Sequence, residues 1–208
     1  DTGGDARRLG LEAPDMITTR IDAITKISPE YLESFLPAPK SVKVELTGAC
    51  NFRCGFCALR MREEQPKEPM DWVFYKRVCL EMHDAGVKEL GLFFLGESFT
   101  SPTLLIEAIS FAKTVGFEYV FLTTNGSLAK PHYVRSCMEA GLNSLKFSIN
   151  WADEEQFKEI TGVKAGLFHA ALENLRSARL IRDEGNYHCG IYASSIAYDG
   201  EQKDRMQK

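Results

Sequence analysis

Along most of the chain, apolar positions alternate between a period typical of strands and a period typical of helices. Residues 41–46 alternate polar and apolar side chains, which is the pattern of a strand with one buried face. Residues 87–95 are nearly all apolar, as expected of a strand that is covered on both faces. Three further strands are predicted, at residues 117–123, 142–149 and 187–197.

Helical patterns fill the segments between these strands. The first covers residues 71–85 and stops at Gly86, and the next begins at Pro102. Two more are predicted at residues 131–140 and 166–183. Because strands and helices alternate, the sequence predicts an α/β fold with a parallel sheet and right-handed crossovers.

Residues 1–40 do not follow this pattern, and we expect them to form an N-terminal extension to a domain that covers residues 41–208. The start of this extension is rich in glycine and charge. Within it, Ser28 as N-cap and Pro29 at the first helical position predict a short helix over residues 28–36.

The composition narrows the class of protein. The chain has 208 residues, of which 44% are hydrophobic and 26% charged, as in ordinary globular domains. A net charge of −4 gives no electrostatic basis for binding nucleic acid or an anionic membrane surface. No apolar run approaches the roughly 18 residues that span a bilayer. The cysteines suit a reducing interior, so we expect a cytoplasmic location.

Three cysteines follow the first predicted strand at close spacing, at Cys50, Cys54 and Cys57. Three thiolates can hold three corners of a cubane 4Fe–4S cluster, and the fourth iron is then open to a small molecule. The cysteines begin where a strand runs out into a loop, and ligand sites of α/β sheets gather at such loops.

Two other interpretations of the cysteines stay open. A structural zinc site needs a fourth ligand, from Cys79, Cys137, Cys189 or one of the four histidines, and none of these has a paired spacing. Disulfides are the second alternative, because the chain has six cysteines. The chain has neither a signal-like leader nor the size of a secreted mini-protein, which favours the iron–sulfur interpretation.

The cysteine spacing, with Phe56 as the aromatic residue before the last cysteine, resembles the signature of the radical S-adenosylmethionine (radical SAM) enzymes. The resemblance implies a 4Fe–4S cluster on Cys50, Cys54 and Cys57, with S-adenosylmethionine on the open iron and Phe56 near the adenine or the cluster. It implies reductive cleavage to methionine and a 5′-deoxyadenosyl radical, which abstracts hydrogen from a substrate. It also implies a partial (β/α)6 barrel over residues 41–208, incomplete at the C-terminus because five strands are visible.

The ends of three later strands carry polar residues that match motifs of this family in part. Gly96 and Glu97 follow the second strand, and the resemblance implies that they receive the amino group of S-adenosylmethionine, although Leu95 departs from the family's first glycine. Thr124 and Asn125 follow the third strand and transfer as candidate contacts to the cofactor, where the alternative is a plain Asn-Gly turn.

Ser148 on the fourth strand transfers as a candidate contact to the cofactor's ribose. The alternative is a buried serine bonded to backbone.

Taken together, the resemblance implies an enzyme that acts on a peptide or small-molecule substrate and receives its electron from an external flavodoxin- or ferredoxin-like donor. Within the family, the chain looks most like the subgroup with a SPASM or twitch extension. The alternatives are a non-catalytic zinc or iron–sulfur module and an electron-transfer protein.

Overall fold

Parallel strand pairing organises the part of the chain that the structure describes. The structure is a computed structural model and describes Ser34, residues 36–61, Glu64 and residues 68–207. Its strands are β1 (Ser41–Lys43), β2 (Glu89–Gly91), β3 (Tyr119–Thr124), β4 (Ser144–Ser148) and β5 (Gly190–Ser194). They form one five-stranded sheet in chain order, and every neighbouring pair is parallel. The predicted α/β fold with a parallel sheet is confirmed.

Helices occupy the connections between the strands. In the described residues they are α1 (Trp72–Asp84), α2 (Pro102–Val115), α3 (Pro131–Glu139), α4 (Glu154–Thr161), α5 (Gly166–Glu184) and α6 (Gly200–Met206). A 3-10 turn, Ala58–Met61, follows the last of the clustered cysteines. Neighbouring helices pack in sequence, α1 on α2, α2 on α3 and α3 on α5.

The two faces of the sheet have different environments. On β3, Val120, Leu122 and Thr124 are buried, whereas the residues between them are partly open. Successive strand residues point to opposite faces, so one face packs on the helices and the other stays accessible. Helix α2 contributes Leu105 and Ile109, both fully buried, to the packed side. We call the accessible side, to which Phe121 and Thr123 of β3 point, the concave face.

The strand predicted at residues 87–95 is present but shorter, and the prediction that both of its faces are covered along the whole segment was wrong. Leu90 and Leu92 are fully buried, but Phe94 is 63% exposed. The strand itself covers only Glu89–Gly91. Beyond it, the backbone amides of Leu95 and Gly96 donate to the side chain of Glu45 instead of to a neighbouring strand. The apolar residues at this end of the segment therefore reach the accessible edge of the sheet.

Helices α4 and α6 were not predicted from the sequence. For α4 the signals were present: the Asp153 carboxylate accepts from the Gln156 amide at 2.8 Å as an N-cap, and Gly162 ends the helix at φ 66°. The helix is only 8 residues long and has few apolar residues, which concealed it.

Apart from Ser34 and Leu36, the predicted helix over residues 28–36 lies outside the described residues, as does most of the predicted extension, residues 1–40. Among the helices in the described part of the chain, none has the length and apolar character required to cross a bilayer.

Candidate active site

The predicted metal and cofactor residues meet at the carboxyl edge of the sheet. There, the loop after β1 and the ends of β2, β3 and β4 enclose a cavity of about 180 Å³. The residues predicted to bind metal or cofactor all line it: Cys50, Cys54, Phe56, Cys57, Gly96, Glu97, Thr124, Asn125 and Ser148. Ligand sites of parallel α/β sheets form at this edge. The position agrees with a binding site, and the role of each residue stays a prediction.

The loop that carries the cysteines rests on the end of α4. The backbone amide of Arg53 donates to the carbonyl of Thr161 at 2.8 Å, and that of Gly55 donates to the carbonyl of Ile160 at 2.8 Å. Carbonyls in the last turn of a helix have no partner within the helix. The cysteine loop supplies these partners, so its position depends on a helix that the sequence analysis missed.

An aromatic cluster fixes the same loop from its buried side. The ring of Phe52 meets Phe157 of α4 edge-on at a centroid distance of 5.4 Å, and Phe157 meets Trp151 at 5.0 Å. Cys50 and Cys54 pack against this cluster. Because the aromatic rings are buried, water is excluded from one side of the cysteines.

Partial burial changes the acidity of two of the cysteines. Desolvation raises the pKa of the Cys50 thiol above its ordinary value. It raises the pKa of the Cys54 thiol to about 12, and the neighbouring Cys50 and Cys57 add to this effect. These thiols are therefore protonated at neutral pH in the metal-free protein, and metal binding there must release protons.

The donor set of the loop suits an iron–sulfur cluster in its chemistry. Cysteine thiolates are the usual ligands of such clusters, and the three thiols border one cavity. In the described part of the chain, no group of three or more His, Cys, Asp or Glu side chains is arranged to hold a single metal ion. A cubane makes a different demand, because each of its cysteines binds a separate iron atom.

Gly96 allows the end of β2 to touch the cysteine loop. A Cβ atom added at Gly96 would lie 1.9 Å from the carbonyl oxygen of Thr47. The next residue, Glu97, donates its backbone amide to the carbonyl of Ala49 at 2.8 Å. No side chain fits between these two backbones, so glycine is required for the contact.

The Glu97 carboxylate is buried and joins the ends of β2 and β3. One oxygen, Oε1, accepts from the Thr124 hydroxyl at 2.8 Å and from the Phe99 amide at 3.1 Å. The other, Oε2, accepts from the Asn125 amide at 2.7 Å. Desolvation raises the pKa of Glu97 above its ordinary value, although these donors oppose the shift. Glu97 therefore links two strand ends in addition to lining the cavity.

Sequence analysis missed the role of Glu45. Its Oε1 accepts from the backbone amides of Leu95 and Gly96, each at 2.7 Å. Glu45 is a polar residue in the alternating pattern of the first predicted strand, and pattern alone gave it no partner. In the structure it holds the backbone of residues 95 and 96 against the end of β1.

The remaining predicted residues border the cavity from two sides. Ser148 is the last residue of β4 and is partly buried on the concave face. Phe56 is 50% exposed. Beside Ser148, Asn150 also lines the cavity, and its backbone carbonyl accepts from the Tyr198 hydroxyl at 3.0 Å. The segment before α6 is thereby attached next to the cavity.

Comparisons with known proteins identify a matching family and several similar proteins. The profile of the Radical SAM superfamily matches residues 44–192. A protein named probable GTP 3′,8-cyclase from Saccharolobus solfataricus is 34% identical over 146 residues, which are 67% of this chain and 43% of that protein. A protein of the same name from Sulfurisphaera tokodaii is 31% identical over 160 residues, covering 72% of this chain and 48% of its own. The chain thus spans less than half of these curated relatives.

Solved structures share the fold at low sequence identity. Streptococcus suis SuiB bound to S-adenosylmethionine superposes with a TM-score of 0.57 at 22% identity, covering 76% of this chain and 34% of SuiB. Methylornithine synthase (PylB) gives a TM-score of 0.55 at 17% identity, covering 74% of this chain and 43% of that protein. At these identities the similarity concerns the arrangement of strands and helices.

We predict that Gly96→Ala displaces the cysteine loop. The added methyl group would overlap the Thr47 carbonyl, and overpacking of this kind costs about 1–3 kcal/mol. The melting temperature should fall, and iron bound after anaerobic reconstitution should decrease. Gly166→Ala is the matched control, because a Cβ at Gly166 meets nothing within 4 Å. Equal stability and equal iron content in the two variants would contradict the proposed contact.

Proposed function

The chain belongs to the radical SAM superfamily, and we propose that it cleaves S-adenosylmethionine with a 4Fe–4S cluster held by Cys50, Cys54 and Cys57. Membership confirms the predicted family and the two cofactors that define it. The observation that carries the proposal for this chain is the convergence of the three cysteines and the polar ends of three strands on one cavity. A purely structural metal site on the cysteine loop would not require polar residues at the ends of three strands.

When bound, the cluster supplies an electron that splits S-adenosylmethionine into methionine and a 5′-deoxyadenosyl radical, which takes hydrogen from the substrate. The protein's own contribution is position and exclusion of water. Gly96 brings the backbone that follows β2 beside the cysteine loop, and the Glu97 carboxylate would receive the amino group of the cofactor. Thr124 and Ser148 are the proposed polar contacts at the ends of β3 and β4. Phe56 would provide an apolar surface beside the adenine or the cluster.

Two other functions use the same cysteines. A non-catalytic zinc or iron–sulfur module would bind metal without using the cavity. An electron-transfer protein would carry a loaded cluster and would leave S-adenosylmethionine intact. The cavity beside the cysteines favours the enzyme, because a pure electron carrier has no need for a ligand site. The electron for the reaction is proposed to come from an external flavodoxin- or ferredoxin-like donor.

We predict that Cys54→Ala abolishes iron binding and the formation of 5′-deoxyadenosine, because the cluster loses one of its three ligands. Iron is measured after anaerobic reconstitution, and 5′-deoxyadenosine is measured by chromatography after reduction with dithionite. Cys137→Ala is the control, since Cys137 is buried in α3 away from the cavity and should keep both properties. Full iron content and cleavage in Cys54→Ala would reject the assignment. A loaded wild-type cluster without cleavage would favour the electron carrier.

For the substrate, we propose a small anionic metabolite, specifically a purine nucleotide, in preference to a peptide. The name of the relatives, probable GTP 3′,8-cyclase, specifies GTP, which is a purine nucleotide. The concave face of this chain supplies suitable charge. The Lys43 Nζ atom lies 5.3 Å from the centroid of the Phe93 ring, and Phe93 lines the cavity. Lys146 precedes Ser148 by two residues on β4, so both point to the same face.

Lysine side chains recognise phosphate as compact positive charges. Lys43 beside the Phe93 ring, with Lys146 on the same face of the sheet, suits a ligand that combines phosphate with a planar base. An uncharged peptide would gain little from either lysine.

We predict that Lys43→Met and Lys146→Met each weaken binding of GTP to the loaded protein by about 10-fold or more, because a charged hydrogen bond contributes roughly 1.5–3 kcal/mol. Guanosine should bind equally to all variants. Anaerobic calorimetry gives the dissociation constants. Lys88→Met is the control, since Lys88 pairs with Glu118 at 3.2 Å and both side chains are more than half exposed. GTP affinity unchanged in both variants would contradict the proposed substrate class.

A further inference from the structure

Three polar side chains close a ring of hydrogen bonds between the cysteine loop and the end of β3. The Asn51 Nδ2 donates to Ser127 Oγ at 2.8 Å, and Ser127 Oγ donates to Asn125 Oδ1 at 2.8 Å. The Asn125 Nδ2 then donates to Asn51 Oδ1 at 2.9 Å. Each residue donates once and accepts once around the ring. We call Asn51, Asn125 and Ser127 the polar ring.

The Asn125 side chain uses its whole hydrogen-bonding capacity inside the protein. An asparagine side chain has two N–H donors and an oxygen with two lone pairs. Its Nδ2 atom faces Asn51 Oδ1 and lies 4.0 Å from Cys50 Sγ, which is within reach of an N–H···S contact. Its Oδ1 atom accepts from both the amide and the hydroxyl of Ser127, at 3.0 Å and 2.8 Å. A contact from this side chain to a cofactor would have to break one of these bonds.

The polar ring is anchored to the scaffold on the side away from the cysteines. Asn174 of α5, which is buried, donates from Nδ2 to the Gly126 carbonyl at 2.8 Å and to the Ser127 carbonyl at 3.3 Å. The Asn125 amide donates to the buried Glu97 carboxylate at 2.7 Å. Since these partners belong to the packed core, the polar ring transfers the rigidity of the core to the residue that follows Cys50.

We propose that the polar ring positions Cys50 for the cluster, and that Asn125 acts on Cys50 as a positioning residue instead of binding S-adenosylmethionine through its side chain. The proposal rests on the proposed function, because it gives the polar ring a role toward the cluster. Asn51 and Ser127 do not line the cavity, whereas Asn125 does. The two roles for Asn125 therefore predict different behaviour in the three members of the polar ring.

The first test uses loaded protein and two readouts, the rate of iron loss to a chelator and the affinity for S-adenosylmethionine. Asn51→Ala, Ser127→Ala and Asn125→Ala should each accelerate iron loss by roughly fivefold, as expected for one lost hydrogen bond. The double variant Asn51→Ala/Asn125→Ala should lose iron no faster than the single variants, because one break already opens the ring. The affinity of each loaded variant for S-adenosylmethionine should stay within about twofold of wild type. Ser110→Ala, at an exposed position of α2, is the control.

The opposite pattern would overturn the proposal. If Asn125→Ala alone lost affinity for S-adenosylmethionine, with normal iron retention in all three variants, Asn125 would be a direct cofactor ligand. Additive losses of iron in the double variant would also contradict a closed ring.

A second measurement separates failure of this proposal from failure of the proposed function. Amide hydrogen exchange on the metal-free protein reports the order of residues 50–54 without any cluster. Exchange there should accelerate in all three polar-ring variants and not in Ser110→Ala. Unchanged exchange would refute the polar ring as a positioning device even if the wild-type protein binds no iron. If exchange accelerates in the variants but the wild-type protein never binds iron, the proposed function is refuted. The result would still show that the polar ring orders the cysteine loop.

Discussion

The site depends on the close contact between the backbone at Gly96 and Glu97 and the loop that precedes the cysteines. The contact requires a residue without a side chain, since a Cβ at Gly96 would meet the Thr47 carbonyl at 1.9 Å. It is fixed by the hydrogen bond from Glu97 N to Ala49 O and by Glu45, which accepts from the amides at Leu95 and Gly96. The segments that follow β1 and β2 are thereby held together.

Burial of the Glu97 carboxylate extends this junction to β3. A buried carboxylate without hydrogen-bond donors would be unfavourable. Desolvation by burial raises the pKa of Glu97 above its ordinary value. Donors from Thr124, Asn125 and Phe99 offset the cost. Each of these donors directs its hydrogen atom to the Glu97 carboxylate. The end of β3 and the segment after β2 are therefore held in one arrangement. Polar groups fixed around a cavity in this way are suited to hold a reactive intermediate in place.

The sequence was sufficient for the features that depend on local pattern. Alternation of strands and helices predicted the parallel sheet, and the spacing of Cys50, Cys54 and Cys57 with Phe56 led to the family. The strand-end residues Gly96, Glu97, Thr124, Asn125 and Ser148 were selected because they match motifs of that family in part. They line one cavity because the carboxyl ends of parallel strands share one edge.

What the sequence did not provide are contacts between distant residues and short polar elements. The bond between Asn51 and Ser127 joins positions 76 residues apart, and no local pattern signals it. Helix α4 was missed because it has 8 residues and a polar surface, yet its last carbonyls hold the cysteine loop. Glu45 was visible only as a polar position in a strand, although its carboxylate binds two amides of the β2 end.

The central claim is that the three cysteines hold a cubane with one iron left for S-adenosylmethionine, and Mössbauer spectroscopy of the ⁵⁷Fe-reconstituted protein tests it most directly. The account predicts a 4Fe–4S cluster in which one iron of the four changes its spectrum when S-adenosylmethionine is added. A cluster with four equivalent irons whose spectrum does not change when S-adenosylmethionine is added, or a protein that binds no cluster, would contradict it.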